Sequence, residues 1–220
     1  MRKQTGPTRL VLATSNKGKV REVRRLLKGC GLALQSLPAT PLFAGAPLED
    51  GRTFAENACK KASHYARALK AHVFSEDSGL RVRALGGMPG VRSARFLGPS
   101  ASDDEKCRAV LDRLKCIPTG TARAATFVAA GAIADPQGRI LFVATARCAG
   151  RIAFDPKGRS GFGYDPIFYY HPSRKTFAEM SSDEKNRVSH RGRLLAKVIL
   201  FLGRRFPREG RFRGRPLGRA

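Results

Sequence analysis

At 220 residues the chain suits one large domain or two small ones with a real core, and its 42% hydrophobic and 8% aromatic content fits a soluble globular protein. No apolar run approaches the roughly 20 residues a membrane span needs, and the start Met1-Arg2-Lys3-Gln4 lacks the apolar core of a secretion signal. Forty-two Lys and Arg against 17 Asp and Glu give a net charge of +25, which attracts polyanions: nucleic acid, or highly charged small phosphates.

Residues 10–13 are four apolar residues in a row and read as a short buried strand, after which Val20, Val23, Leu26 and Leu27 fall at helical spacing. Between them lies the polar turn Thr14-Ser15-Asn16-Lys17-Gly18-Lys19. A loop that leaves a strand and opens a helix presents free N–H groups and the positive end of the helix dipole. With two ammonium groups added it makes a seat for several phosphates; the plainer alternative is a turn with solvated lysines. The spacing of the ATPase phosphate loop is absent. Residues 32–37 read as a second strand and 38–51 as a Pro- and Gly-rich loop closing with Leu48-Glu49-Asp50-Gly51. A capping box, Thr53 to Glu56, then starts a helix on which Asn57 and Lys61 share a face beside the apolar stripe.

Residues 72–75 read as a strand running into Glu76-Asp77-Ser78-Gly79, with a further strand at 80–85. Adjacent carboxylates beyond a strand end make a platform for a hard cation such as Mg²⁺, which takes one or two carboxylates and completes its shell with water and phosphate. An Asx-type surface turn is the alternative. Residues 86–90 form a glycine-rich irregular loop, and Ser102 caps a helix reaching to about residue 115. Residues 121–134 and 139–150 read as a long hairpin around the turn Asp135-Pro136-Gln137-Gly138. In the loop 158–163 and the following Tyr164-Asp165-Pro166, Phe162 offers a face for a nucleobase and Asp165 an acceptor for the base edge; plugging a core gap is the alternative. A second Ser-x-x-Glu box at Ser181 starts a helix carrying Lys185. Lys185 and His190 lie about 140° apart on a continuous helix, so the chain is expected to break near Ser189, which caps a final helix from His190 to about residue 203. Residues 203–220 hold seven arginines and one glutamate among Gly and Pro, and read as a solvated tail that either contacts nucleic acid or is a charged end. The cysteines (30, 59, 107, 116 and 148) form no C-x-x-C pair and read as reduced thiols of a cytoplasmic protein without a zinc site.

Taken in order, these stretches resemble the inosine triphosphatase family of pyrophosphatases, which clear deaminated purine nucleoside triphosphates. The resemblance rests on Ala13 through Lys19 with Glu22 and Leu26; Thr53-Phe54, Glu56-Asn57-Ala58 and Lys61-Ala62; Asp77-Ser78-Gly79-Leu80; Leu85-Gly86-Gly87 with Pro89-Gly90; Ser93-Ala94-Arg95; 161–168; Glu179-Met180; and Lys185 with Ser189-His190-Arg191-Gly192. It implies a two-lobed mixed α/β fold on a long central mixed sheet with a deep nucleotide cleft over residues 1–203, followed by a basic tail at 204–220, and usually a homodimer. The implied activity is Mg²⁺-dependent hydrolysis of ITP, dITP and XTP to the monophosphate and pyrophosphate. By motif, Thr14, Ser15, Asn16, Lys17, Gly18 and Lys19 hold the triphosphate, and Asp77 is the catalytic carboxylate near the metal. Lys61, Ser78, Phe162, Gly163, Tyr164, Asp165, Lys185, His190 and Arg191 complete the nucleotide site. Glu49 is a candidate second metal ligand, and Glu76, where the family commonly has Asp, is a third. His190 and Arg191 are the expected donors to a purine 6-carbonyl, and Lys17, Lys19, Lys61 and Lys185 the expected partners of phosphate charge. Two other readings remain: a related pyrophosphatase for pyrimidine or ordinary triphosphates, and a nucleic-acid-binding protein on an inactive nucleotide fold.

Overall fold

Residues 9–37, 47–118 and 120–205 are described in the computed structural model of the chain. The first apolar run forms β1 (Arg9–Ala13), and alternation along it separates two faces: Leu10 and Leu12 point to one side of the sheet, Val11 and Ala13 to the other. Helices α1 (Lys17–Leu26) and α5 (His190–Arg205) pack on the first face through Val23, Leu195, Val198 and Leu202. Helix α2 (Phe54–Leu69) packs on the second through Phe54, Ala58, Ala62 and Ala66.

β1 pairs in parallel with β2 (Ala33–Ser36) and with β3 (Val73–Val82). Beyond β3 the pairing is antiparallel through β4 (Ala124–Ala134), β5 (Ile140–Ile152), β6 (Phe168–Tyr170) and β7 (Lys175–Thr176). The result is one open mixed sheet of order β2-β1-β3-β4-β5-β6-β7. β3, β4 and β5 outrun the helix-covered half and enter a second core, where Leu80, Phe127 and Cys148 meet α3 (Asp103–Arg113) and the aromatic residues Tyr164, Phe168 and Phe177. The expected two-lobed mixed α/β architecture is therefore present, with both lobes built on the same strands.

Three expectations change in detail. Residues 73–82 are one strand, paired without interruption from Val73 opposite Ala134 to Val82 opposite Ala125. Gly79 marks no turn. A Cβ there would lie 2.3 Å from Ser93 Oγ and 2.5 Å from the Gly90 carbonyl, so the glycine admits the neighbouring 90–95 turn against the strand. At α2, Thr53 Oγ1 accepts from Glu56 N (3.1 Å), but Glu56 reaches back to Arg52 N (2.8 Å), so the reciprocal box is displaced by one residue. The final helix runs through Arg205, which moves the start of the expected tail past 204; residues 206–220, and 38–46 of the expected loop, lie outside the described residues. The hairpin at 135–138 and the break before α5 appear as expected: Ser189 is extended (φ −70°, ψ 158°) between α4 (Ser182–Val188) and α5.

Candidate active site

β1 delivers the loop 14–19 to the positive end of α1. Asn16 caps the helix, its Oδ1 accepting from Lys19 N at 2.9 Å, while Asn16 N donates to Thr14 Oγ1 at 3.2 Å. No acidic residue sits in the first turn of α1, so the dipole and Lys17 add their positive potential, with Ser15 and Lys17 exposed. Lys19 turns inward to within 4.0 Å of Glu76, and burial lowers its pKa.

The alternation of β3 then sorts the two adjacent carboxylates to opposite faces. Asp77 faces α2. Its Oδ2 accepts from Asn57 Nδ2 at 3.0 Å, its Oδ1 accepts from Ser78 N at 3.0 Å, and Lys61 Nζ stands 3.9 Å from Oδ1. Burial raises the Asp77 pKa and outweighs the nearby Lys61 and Lys19 charges. Glu76 faces α5, where Arg191 Nε donates to both its oxygens (3.0 and 2.9 Å) and Nη2 to Oε1 (2.7 Å). Burial alone would raise the Glu76 pKa, but the Arg191 and Lys19 charges outweigh it and hold the group at about 2. The expected acidic platform is thus divided, and Glu76 is not brought to the side of Asp77.

Glu49 takes the place beside Asp77. Its Oε1 accepts from Lys61 Nζ at 2.7 Å and its Oε2 from Arg95 Nη1 at 3.0 Å, while Arg95 Nη2 also donates to the Glu49 carbonyl. Lys61 Nζ further donates to the Glu76 carbonyl at 3.0 Å. One ammonium therefore stands between the Glu49 and Asp77 carboxylates, in a position suited to a cation. Two carboxylates are the part of the Mg²⁺ donor set that a protein supplies, with substrate phosphate and water left to complete it. Among the described residues no group of three or more His, Cys, Asp or Glu is arranged to hold a metal, so a cation here would complete its shell from water and substrate.

On the α5 face a second buried network ties the lobes together. Lys185 Nζ donates to Glu22 Oε1 (2.8 Å) and Asp165 Oδ2 (2.6 Å). Arg191 Nη1 donates to Glu22 Oε2 (2.5 Å), and Nη2 to Ser78 Oγ (3.1 Å). Asp165 Oδ2 also accepts from Phe162 N (2.8 Å), so this oxygen braces its own loop in place of the expected contact to a base edge. Tyr164 is likewise structural: buried, with its hydroxyl donating to the Ser93 carbonyl at 2.9 Å. Gly163 N donates to Asp103 Oδ2 at 2.6 Å. The Phe162 ring lies under the cations of Lys185 and Arg191, 5.0 and 5.3 Å from its centroid, and flat on Gly18, where a Cβ would come within 2.6 Å of the ring. His190 stacks on Phe127 (4.6 Å, 8° between planes), and burial holds it neutral, its pKa well below the usual histidine value. Its Nδ1 is the one buried side-chain polar atom without a hydrogen-bond partner among the described residues. A cavity of about 130 Å³ opens among Asn16, Lys19, Ser78, Phe162, His190 and Arg191.

The elements thus bring Asn16 and Lys19 of the phosphate loop and the His-Arg pair to one cavity, with Asp77 on the other face of β3 beside Lys61. The Ham1 family model matches residues 10–201. The chain belongs to the Ham1 family. It is 45% identical over 191 residues to a protein of Desulfotalea psychrophila named dITP/XTP pyrophosphatase, a match covering 86% of this chain and 82% of that protein. A HAM1 protein structure from Coxiella burnetii superposes with a TM-score of 0.78 at 35% identity, covering 90% of this chain and 99% of the other. A structure from Mycobacterium abscessus, described as a nucleoside-triphosphatase and dITP/XTP pyrophosphatase, gives a TM-score of 0.70 at 39% identity, covering 87% and 98%. This Ham1 family member is an enzyme of the class that hydrolyses phosphoric anhydrides.

Sequence reasoning left three residues of this site without a role: Asn57, Glu22 and Arg95. Each stood inside a quoted motif, and each now touches a site carboxylate or cation. For Asn57 and Glu22 the available signal was helical spacing, four residues from Lys61 and three from Lys19, which places each beside a site lysine.

Proposed function

We propose that the chain hydrolyses ITP, dITP and XTP to the nucleoside monophosphate and pyrophosphate. The observation that carries this reading is a nearly buried Asp77 beside the Lys61–Glu49 pair, near enough to the phosphate loop for the Lys19 charge to act on it. Asp77 orients a water and takes its proton as the oxygen attacks the α-phosphorus; its raised pKa suits a general base better than that of an ordinary aspartate. The backbone of 14–19, with Lys17 and Lys19, holds the triphosphate. Lys61 offers charge to the leaving pyrophosphate once it releases Glu49. Mg²⁺ held by Glu49 and Asp77 would neutralise phosphate charge and fix the geometry of the oxygens.

Base selection falls to His190. Arg191 spends its nitrogens on Glu76, Glu22 and Ser78, whereas His190 Nδ1 is unpaired and its ring is neutral. In the Nδ1–H tautomer it donates to a purine 6-carbonyl, and it meets the amino group of adenine donor to donor. Phe162 supplies the stacking face. Lys185, buried between Glu22 and Asp165, holds the aromatic loop in place and does not reach out to phosphate. Homodimer assembly and cytoplasmic residence belong to the same reading; five free cysteines fit the second, and sedimentation at micromolar concentration tests the first.

Pyrophosphate release from dITP, XTP, dGTP and dTTP with Mg²⁺, for wild type and Asp77→Asn, is the test. Turnover of the first two, lost in the variant, is expected. Turnover mainly of dTTP would assign the protein to pyrimidine nucleotides, and none at all would remove the enzymatic reading.

A further inference from the structure

Asn57 lies in the first turn of α2 with 0% exposure, and both ends of its amide are used. Nδ2 donates to Asp77 Oδ2 at 3.0 Å, and Oδ1 accepts from Gly51 N at 2.8 Å. The two partners fix the orientation of the amide, because an ionised carboxylate only accepts and a backbone N–H only donates. Gly51 approaches so closely that a Cβ there would lie 2.5 Å from Asn57 Oδ1 and 2.9 Å from Glu56 Cβ. Glu49 stands two residues before Gly51 and hangs from the same anchor.

We propose that Asn57 is a positioning residue that sets the separation of the Asp77 and Glu49 carboxylates, and through it the affinity of the site for a divalent cation. The proposal rests on the pyrophosphatase reading for its consequence in turnover, and on geometry for everything else. Lys61 also spans the two carboxylates, but through a flexible stem, and its ammonium stands where a cation would enter. Arg95 braces Glu49 from a half-exposed side chain, at the Glu49 end alone. The Asn57 amide touches no cation position, so it keeps both bonds when a metal arrives. Partners of this kind orient metal ligands, and their loss typically lowers metal affinity or activity by about 10–100-fold.

The test compares wild type, Asn57→Ala and Gly51→Ala. Mn²⁺ binding to the free protein is followed by the electron paramagnetic resonance of unbound Mn²⁺, and dITP turnover is measured across Mg²⁺ concentration. Both variants are expected to weaken Mn²⁺ binding at least about tenfold. Both are expected to require correspondingly more Mg²⁺ for half-maximal turnover, with turnover recovering at high Mg²⁺ and KM for dITP little changed. A purely structural role would lower turnover equally at every Mg²⁺ concentration and leave Mn²⁺ affinity unmoved; that result overturns the proposal. If Asn57→Ala does not fold, Gly51→Ala decides alone, since it displaces the amide without removing it. A wild type that binds no Mn²⁺ also overturns the proposal. A wild type that binds Mn²⁺ but hydrolyses no nucleotide overturns the functional reading and leaves the positioning result standing.

Discussion

Asp77 and Glu76 are neighbours in sequence with opposite electrostatics. Burial penalises ionised Asp77, so its folded pKa stands above its unfolded value, and the protein loses stability as pH rises through that interval. Asp77→Asn is therefore expected to abolish turnover and yet to raise stability at pH 7 by about 1 kcal/mol, as measured by urea unfolding. Glu76 behaves in the reverse sense. Its folded pKa of about 2 lies below the ordinary value of 4.5, so its contribution is complete above about pH 4.5 and is lost as pH falls towards 2. Urea midpoints of wild type should fall across that window, and Glu76→Gln should flatten this part of the profile. The same substitution should cost about 3 kcal/mol at pH 7, because it strips buried Arg191 of its bidentate partner. The sequence alone read the pair as one metal platform. Their residue types pointed to charge chemistry, but their separation depends on strand alternation, which shows only once 73–82 is known to be a single strand.

At the scale of elements, most of the fold was legible where a local signal stood alone. The apolar run of β1, the serine caps of α3 and α4 and the Asp-Pro-Gln-Gly turn each form through contacts within a few residues. Gly79 misled because its cause is tertiary: the 90–95 turn that needs the space is remote in sequence. The α4–α5 corner was legible through angular arithmetic on Lys185 and His190, and the structure adds its steric basis. A Cβ at Gly192 would lie 1.7 Å from the Asn186 carbonyl, so α5 leaves α4 over a contact of backbone on backbone. Ser189 Oγ accepts from Gly192 N at 3.1 Å across the same corner. Gly192→Ala is expected to force the corner open, destabilising the protein by about 1–3 kcal/mol. Because the corner aims both Lys185 and His190, KM for dITP should rise beyond what partial unfolding explains, as checked by kinetics below the unfolding temperature.

The whole molecule divides its charge unevenly. Of the net +25, the cleft retains little: Lys19, Lys185 and Arg191 are matched by Glu22, Glu76 and Asp165 in one buried network. The excess lies elsewhere: a net +6 follows residue 201, where the family match ends, and most of the rest is spread over the remainder of the chain. Between the lobes, the Phe162 ring resting on Gly18 has a consequence for the time course of nucleotide arrival. The adjoining cavity of about 130 Å³ is well under the roughly 300 Å³ that ligand pockets of this kind begin at, so the ring is expected to move before a purine enters. Association then has a step that added nucleotide cannot accelerate. In stopped flow with a fluorescent purine triphosphate, the observed rate should climb with concentration and level off at the rate of ring departure. In Phe162→Ala the plateau should vanish while the complex dissociates faster, since the same ring that delays entry holds the base once it is seated.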